Sequence, residues 1–132
     1  MKYPKYIMEN VEWVFSDGPN KTINDFIEKV CIHCENINVK CWDTREIAIY
    51  IPKIHIKYSY WNESIENDVY EDFLLIADNK SYFTNGELLF KIHNAIEYNL
   101  AENLEEHIFF GGLVFCEEEK DNIPIYELAL KS

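Results

Sequence analysis

Residues 47–60, Ile47-Ala48-Ile49-Tyr50-Ile51-Pro52-Lys53-Ile54-His55-Ile56-Lys57-Tyr58-Ser59-Tyr60, decide the fold: Ile47, Ile49 and Ile51, then Ile54, Ile56, Tyr58 and Tyr60, stand at every second position. A two-residue period puts those side chains on one face of extended chain. Pro52-Lys53 breaks the phase and fits a turn or bulge between two paired strands. Just upstream, Ile37, Val39 and Cys41 alternate in the same way and predict a further strand. One face of such a sheet is apolar and must be covered, which calls for helices elsewhere in the chain.

Upstream, Ile23, Phe26, Ile27, Val30, Cys31 and Cys34 follow the spacing of one helix face, with Thr22 as N-cap and Asp25 at the capping-box position. Val11 to Phe15 reads as a strand closed by the turn Ser16-Asp17-Gly18-Pro19-Asn20. Downstream, a polar loop from Asn62 to Asp68 leads to a strand from Tyr70 to Ala77, expected to be buried at Phe73-Leu74-Leu75-Ile76. Asp78-Asn79-Lys80-Ser81 supplies a turn. A second helix begins near Thr84, again with capping-box spacing to Glu87, and buries Leu88, Leu89, Ile92, Ala95, Ile96 and Leu100. After a loop at Asn103 to His107, strands at Ile108 to Cys116 and Ile123 to Leu130 flank an acidic turn, Glu117 to Asn122. The expected architecture is a single α+β domain over residues 1–132. It has an antiparallel sheet of about five to seven strands and two main helices packed on one face.

A chain of 132 residues that is 48% hydrophobic and 15% aromatic has ample apolar surface for one core, so disorder is excluded. No apolar run approaches the roughly 18 residues of a membrane-spanning helix. Tyr6-Ile7-Met8, behind Met1-Lys2-Tyr3-Pro4-Lys5, is too short for a signal sequence, so a cytoplasmic location with reduced thiols is expected. Residues 1–61 carry eight acidic and eight basic side chains, whereas residues 62–132 carry sixteen acidic and four basic ones. That field repels nucleic-acid phosphates and anionic lipid, and steers a basic protein toward the second half of the chain.

Chemistry-bearing clusters each have a structural explanation. Cys31-Ile32-His33-Cys34 with Cys41 has a zinc-knuckle spacing, and a small enzyme or zinc-binding module built on it is the alternative reading. Cys116 stands alone, however, and Cys31, Cys34 and Cys41 also continue apolar faces, where thiols act as small hydrophobes. A redox pair belongs at a helix N-terminus, not in the last turns. His33, His55, His93 and His107 form no HExxH or HxH pattern, and His55 is expected on the exposed face of its strand. Gly111-Gly112 lacks a phosphate-loop context and fits a bulge. No catalytic residue, metal or cofactor is assigned, and a non-enzymatic role is expected.

Three acidic groups stand out: Glu63, Glu66, Asp68, Glu71 and Asp72; Glu102, Glu105 and Glu106; and Glu117, Glu118, Glu119 and Asp121. All fall in or beside predicted loops and would form a patch for a basic protein if the fold joins them; otherwise they are solvated loops. Trp61, at the end of Tyr58-Ser59-Tyr60-Trp61, is the expected interface anchor beside the first group.

Residues 82–94, Tyr82-Phe83-Thr84-Asn85-Gly86-Glu87-Leu88-Leu89-Phe90-Lys91-Ile92-His93-Asn94, and His107-Ile108-Phe109-Phe110-Gly111-Gly112-Leu113 resemble a segment of small bacterial immunity proteins. Those are encoded beside polymorphic or contact-dependent inhibition toxins. The resemblance covers about residues 69–130. It implies a tight, stoichiometric inhibitor of one toxin domain, often a nuclease, and transfers no inhibitory residue.

Overall fold

The computed structural model describes residues 3–15, 20–62, 64–100 and 108–131, without the side chains of residues 97–100, 108 and 131. Among these residues, eight strands and two helices follow one another as β1 (Tyr6–Ile7), β2 (Val14–Phe15), α1 (Ile23–Asn36), β3 (Ile47–Ile49), β4 (Lys53–Asn62), β5 (Asn67–Ile76), β6 (Phe83–Thr84), α2 (Asn85–Leu100), β7 (Ile108–Lys120) and β8 (Ile123–Lys131). The main sheet has the order β1-β7-β8-β4-β5, with β2 also on β7, and β3 and β6 form a separate two-stranded sheet. The class is α+β, as expected. The sheet is mixed, however: β4 runs parallel to β8, with His55 opposite Ile125 and Lys57 opposite Glu127. The intervening α2–β7 excursion is long enough to return the chain in the parallel sense, which no short hairpin allows.

Helix α1 starts as its sequence dictates. The Thr22 Oγ1 accepts the Asp25 N–H at 3.1 Å, and Phe26, Val30 and Cys34 are buried. Its end corrects the predicted strand at Ile37-Val39-Cys41. Asn38 takes the left-handed conformation (φ 56°), the Asn38 N–H donates to the Glu35 carbonyl and the Val39 N–H donates to that of Cys34. Those two bonds form a Schellman motif, which consumes residues 37–39 in ending the helix. Ile37 and Val39 are left exposed.

At the start of α2 the Thr84 Oγ1 accepts the Glu87 N–H. The Glu87 carboxylate turns away from the cap, accepting the Asp78 N–H at 2.9 Å and pairing with the Lys91 ammonium at 2.9 Å. Leu88, Leu89, Ile92 and Ile96 are fully buried and join Phe26, Val30, Ile54, Ile56, Tyr126 and Leu128 in one core. Each such burial is worth roughly 1.5–3 kcal/mol. The imidazole of His93 belongs to this core, accepting the Trp13 indole N–H on Nδ1 at 3.0 Å.

Three further expectations change. Residues 11–13 are not strand; only Val14–Phe15 pairs, and Tyr6–Ile7 forms an unanticipated strand, both against β7. Across Pro52, β3 and β4 belong to different sheets. Glu117 to Lys120 extend β7, and the tight turn is Asp121-Asn122, both with positive φ as a type I′ hairpin requires. Gly112 does mark a bulge: register shifts between Phe110 and Leu113, and its φ is +94°. Within the described residues no helix is long and apolar enough to cross a membrane. Residues 16–19 of the expected turn 16–20, and the loop 103–107, lie outside the described residues.

Candidate protein-binding face

Strands β4 and β5 pair without a register break over ten positions, from Lys53 opposite Ile76 to Asn62 opposite Asn67. Alternation sends Ile54, Ile56, Tyr58, Phe73 and Leu75 into the core. Lys53, His55, Lys57, Ser59 and Trp61, with Asp68, Tyr70, Asp72, Leu74 and Ile76, occupy the opposite face. Both helices pack on the core side, so among the described residues no element covers this outer face. Tyr70 is 78% exposed, Trp61 51%, Ile76 49% and Leu74 42%. The expectation that Phe73 to Ile76 form a buried strand is therefore corrected: only one side of β5 meets the core. Isolated apolar residues on a surface are ordinary, but four on one sheet face are not.

The backbone of β5 has a defined orientation. The Ala77 N–H donates to the Pro52 carbonyl at 2.8 Å, which fixes the phase of the ladder. Alternate residues of an antiparallel strand direct their backbone groups to opposite sides. Counting back from Ala77, residues 75, 73, 71, 69 and 67 bond to β4, whereas Asp68, Tyr70, Asp72, Leu74 and Ile76 aim theirs at the free edge. The carbonyl of Ile76 confirms the phase, because it accepts a hydrogen bond from the Lys91 ammonium. At the other end the Asp68 N–H is capped by Asn67 Oδ1 at 2.9 Å. Between these two closures, Tyr70, Asp72 and Leu74 present backbone groups outward. Among the described residues no strand pairs with that edge.

A shallow concavity of about 350 Å³ lies on the outer face. Lys57, Ser59, Tyr70, Asp72 and Glu127 surround it, and Tyr58 and Glu71 complete the lining. Asp72 is directly opposite Lys57 on β4, and Glu127 neighbours Lys57 from β8. The concavity thus combines one cation with two flanking carboxylates and an exposed phenol.

Among the described residues, the first and third predicted acidic groups are not merged into one patch. Glu66 sits in the β4–β5 turn, and Asp68 and Asp72 stand on the outer face of β5. Glu71 faces the core side opposite Tyr58 and is half-buried. Glu117, Glu118, Glu119 and Asp121 belong to the β7–β8 hairpin at the other end of the sheet. Glu119 lies opposite Pro124, next in register to Ile54, whereas Asp68 lies opposite Trp61. The seven residue steps from 54 to 61 span about 23 Å of strand. Glu119 is moreover engaged, accepting the Tyr3 hydroxyl at 2.8 Å. Glu63, Glu102, Glu105 and Glu106 lie outside the described residues. Sequence reasoning missed Tyr70, Leu74, Ile76 and Lys57. Asp68 and Asp72, in phase with Tyr70 and Leu74, carried the signal: acids at alternate positions mark one side of β5 as solvent-facing.

The thiol cluster is partly assembled. Cys41 returns to the last turns of α1, where burial, and then hydrogen bonding and charge from Cys34 and Cys31, push its pKa up to about 12. His33 lies apart from it, edge-on to Trp13 with ring centroids 5.5 Å apart. Among the described residues no group of three His, Cys, Asp or Glu side chains is arranged to hold a metal ion. His55 lies on the outer face, as expected.

Comparison with models of known protein families, with curated proteins and with solved structures found no match.

Proposed function

We propose that this chain is an immunity protein: it binds a cognate bacterial toxin domain, a nuclease by preference, in the cytoplasm and occludes its active or substrate-binding site. The observation that supports this is the uncovered β4–β5 face, where Trp61, Tyr70, Leu74 and Ile76 stand exposed among Asp68, Asp72 and Glu127. Aromatic anchors supply the desolvated centre of a protein contact, and the carboxylates select a basic partner and accelerate its approach. A nuclease surface that grips phosphates offers the required lysines and arginines. The resemblance of residues 82–94 and 107–113 to immunity proteins supports the same reading. On this reading the electrostatic surface centres on Asp68 and Asp72, and the 117–121 hairpin is peripheral.

The test is genetic and biochemical. The adjoining reading frame is expected to end in a toxin domain whose expression arrests growth, and this chain is expected to restore growth and copurify with that domain. A neighbourhood of metabolic genes, or a neighbouring toxin that this chain neither binds nor neutralises, contradicts the proposal.

A further inference from the structure

The free edge of β5 offers a specific mode of attachment, one that rests on the partner-binding reading of this face. We propose that the partner is held by strand addition: an extended segment bearing lysine or arginine at alternate positions pairs with β5 and continues the sheet. Three observations converge on that occupant. The edge is unoccupied among the described residues, and its outward backbone groups at Tyr70, Asp72 and Leu74 form a run of three alternate positions between the Asn67 cap and the Lys91 closure. Unpaired N–H and C=O groups in a straight row are a template for another strand. Second, β5 contains neither Pro nor Lys and its register is unbroken, and the charges it does carry, Asp68, Glu71 and Asp72, are all acidic and so deter a neutral or acidic strand more than a basic one.

Third, charge and side-chain phase choose the partner. The residues whose backbone faces the edge are also those whose side chains stand on the outer face. An added strand therefore sets its own outer-face residues beside Asp68, Tyr70, Asp72, Leu74 and Ile76. Lysine or arginine there meets Asp68 and Asp72, and the stems of those side chains cover Tyr70 and Leu74. A second copy of this chain is the poorer occupant. Two-fold pairing centred on Tyr70 sets Asp68 against Asp72, centring on Glu71 sets Glu71 against its own copy, and centring on Asp72 does the same for that residue. Like charges directly opposite are destabilising.

The test uses the whole ¹⁵N-labelled chain and a blocked decapeptide of alternating lysine and valine, with the glutamate–valine analogue as control. The lysine peptide is expected to perturb and protect the amides of Tyr70, Asp72 and Leu74, and to bind at least about tenfold more tightly than the analogue. Asp72→Pro removes an outward N–H while leaving the β4 ladder whole, and should weaken the peptide by about tenfold or more. Asp72→Lys leaves the backbone untouched, and should weaken the lysine peptide and strengthen the glutamate one. Absence of any change at those three amides at millimolar peptide overturns strand addition, as does lysine-peptide binding to Asp72→Pro as tight as to the unsubstituted chain. Growth rescue is scored separately: strand addition can fail while rescue persists through side-chain contacts, and rescue can fail while the peptide still pairs.

Discussion

Replacing Lys91 by methionine probes the junction that fixes the end of the candidate edge. The Lys91 ammonium donates to the Ile76 carbonyl and lies 2.8 Å from Asp78 Oδ1 and 2.9 Å from Glu87 Oε2. The Glu87 side chain is only 10% exposed and that of Lys91 19%, whereas Asp78 is 87% exposed. Methionine keeps the apolar stem but leaves the Glu87 carboxylate buried without its counter-charge. Removing one member of a buried pair costs roughly 3–5 kcal/mol. Glu87 retains the Asp78 N–H as a donor, which lowers the expected loss to about 2–3 kcal/mol. For a chain of this size that is a fall of about 10 °C in Tm. Urea denaturation followed by circular dichroism measures it directly. Adding Glu87→Gln should return about 1 kcal/mol or more, because the unpaired charge is gone. A loss below about 0.5 kcal/mol for the single variant, or a strictly additive double variant, refutes the reasoning.

Three other outcomes follow from the same geometry. Gly86→Ala should cost about 1–3 kcal/mol in urea denaturation, because a Cβ there lies 2.9 Å from the Thr44 carbonyl oxygen and 3.2 Å from its Cβ, leaving no room without moving backbone. Stability should fall as pH rises from about 9 to about 12. The Cys41 thiol is held up to about 12 from 9.0 by burial and its neighbouring thiols, so that contribution is complete below pH 9 and lost through this window. Cys116, raised chiefly by burial, acts in the same direction; so does Lys91, where burial opposes the charge but the bonds to Asp78 and Glu87 outweigh it. Thermal melts at successive pH values check this, and constant stability up to pH 12 contradicts it. Tyr70→Ala and Trp61→Ala should leave Tm within a few degrees yet each weaken the proposed toxin complex by about 2 kcal/mol or more, read by calorimetry, since both side chains are at least half exposed.

The fold class was legible because the two periods in the sequence are clean. Ile54, Ile56 and Tyr58 alternate into the core, and Leu88, Leu89, Ile92 and Ile96 follow the helical spacing. Both capping threonines act as their positions suggested. Local pattern failed where long-range pairing decides. Asp68 and Asp72 mark one side of β5 as solvent-facing, but the continuous apolar run Phe73-Leu74-Leu75-Ile76 hides that alternation, so Leu74 and Ile76 read as core although they are exposed. The alternation at Ile37 and Val39 imitated a strand, but the left-handed Asn38 between them ends α1 in a Schellman motif and leaves both side chains exposed. The acidic groups were visible as composition, but their separation depends on β8 lying parallel to β4, which sets the 117–121 hairpin at the opposite end from Asp68.

Hydrogen exchange on the chain, alone and with the toxin domain that the proposed function expects to be encoded beside it, is the decisive measurement. The amides of Tyr70, Asp72 and Leu74 are expected to become strongly protected in the complex while Glu117 to Asp121 exchange as before. Unchanged exchange along residues 68–76, with protection concentrated on another surface, would contradict this expectation.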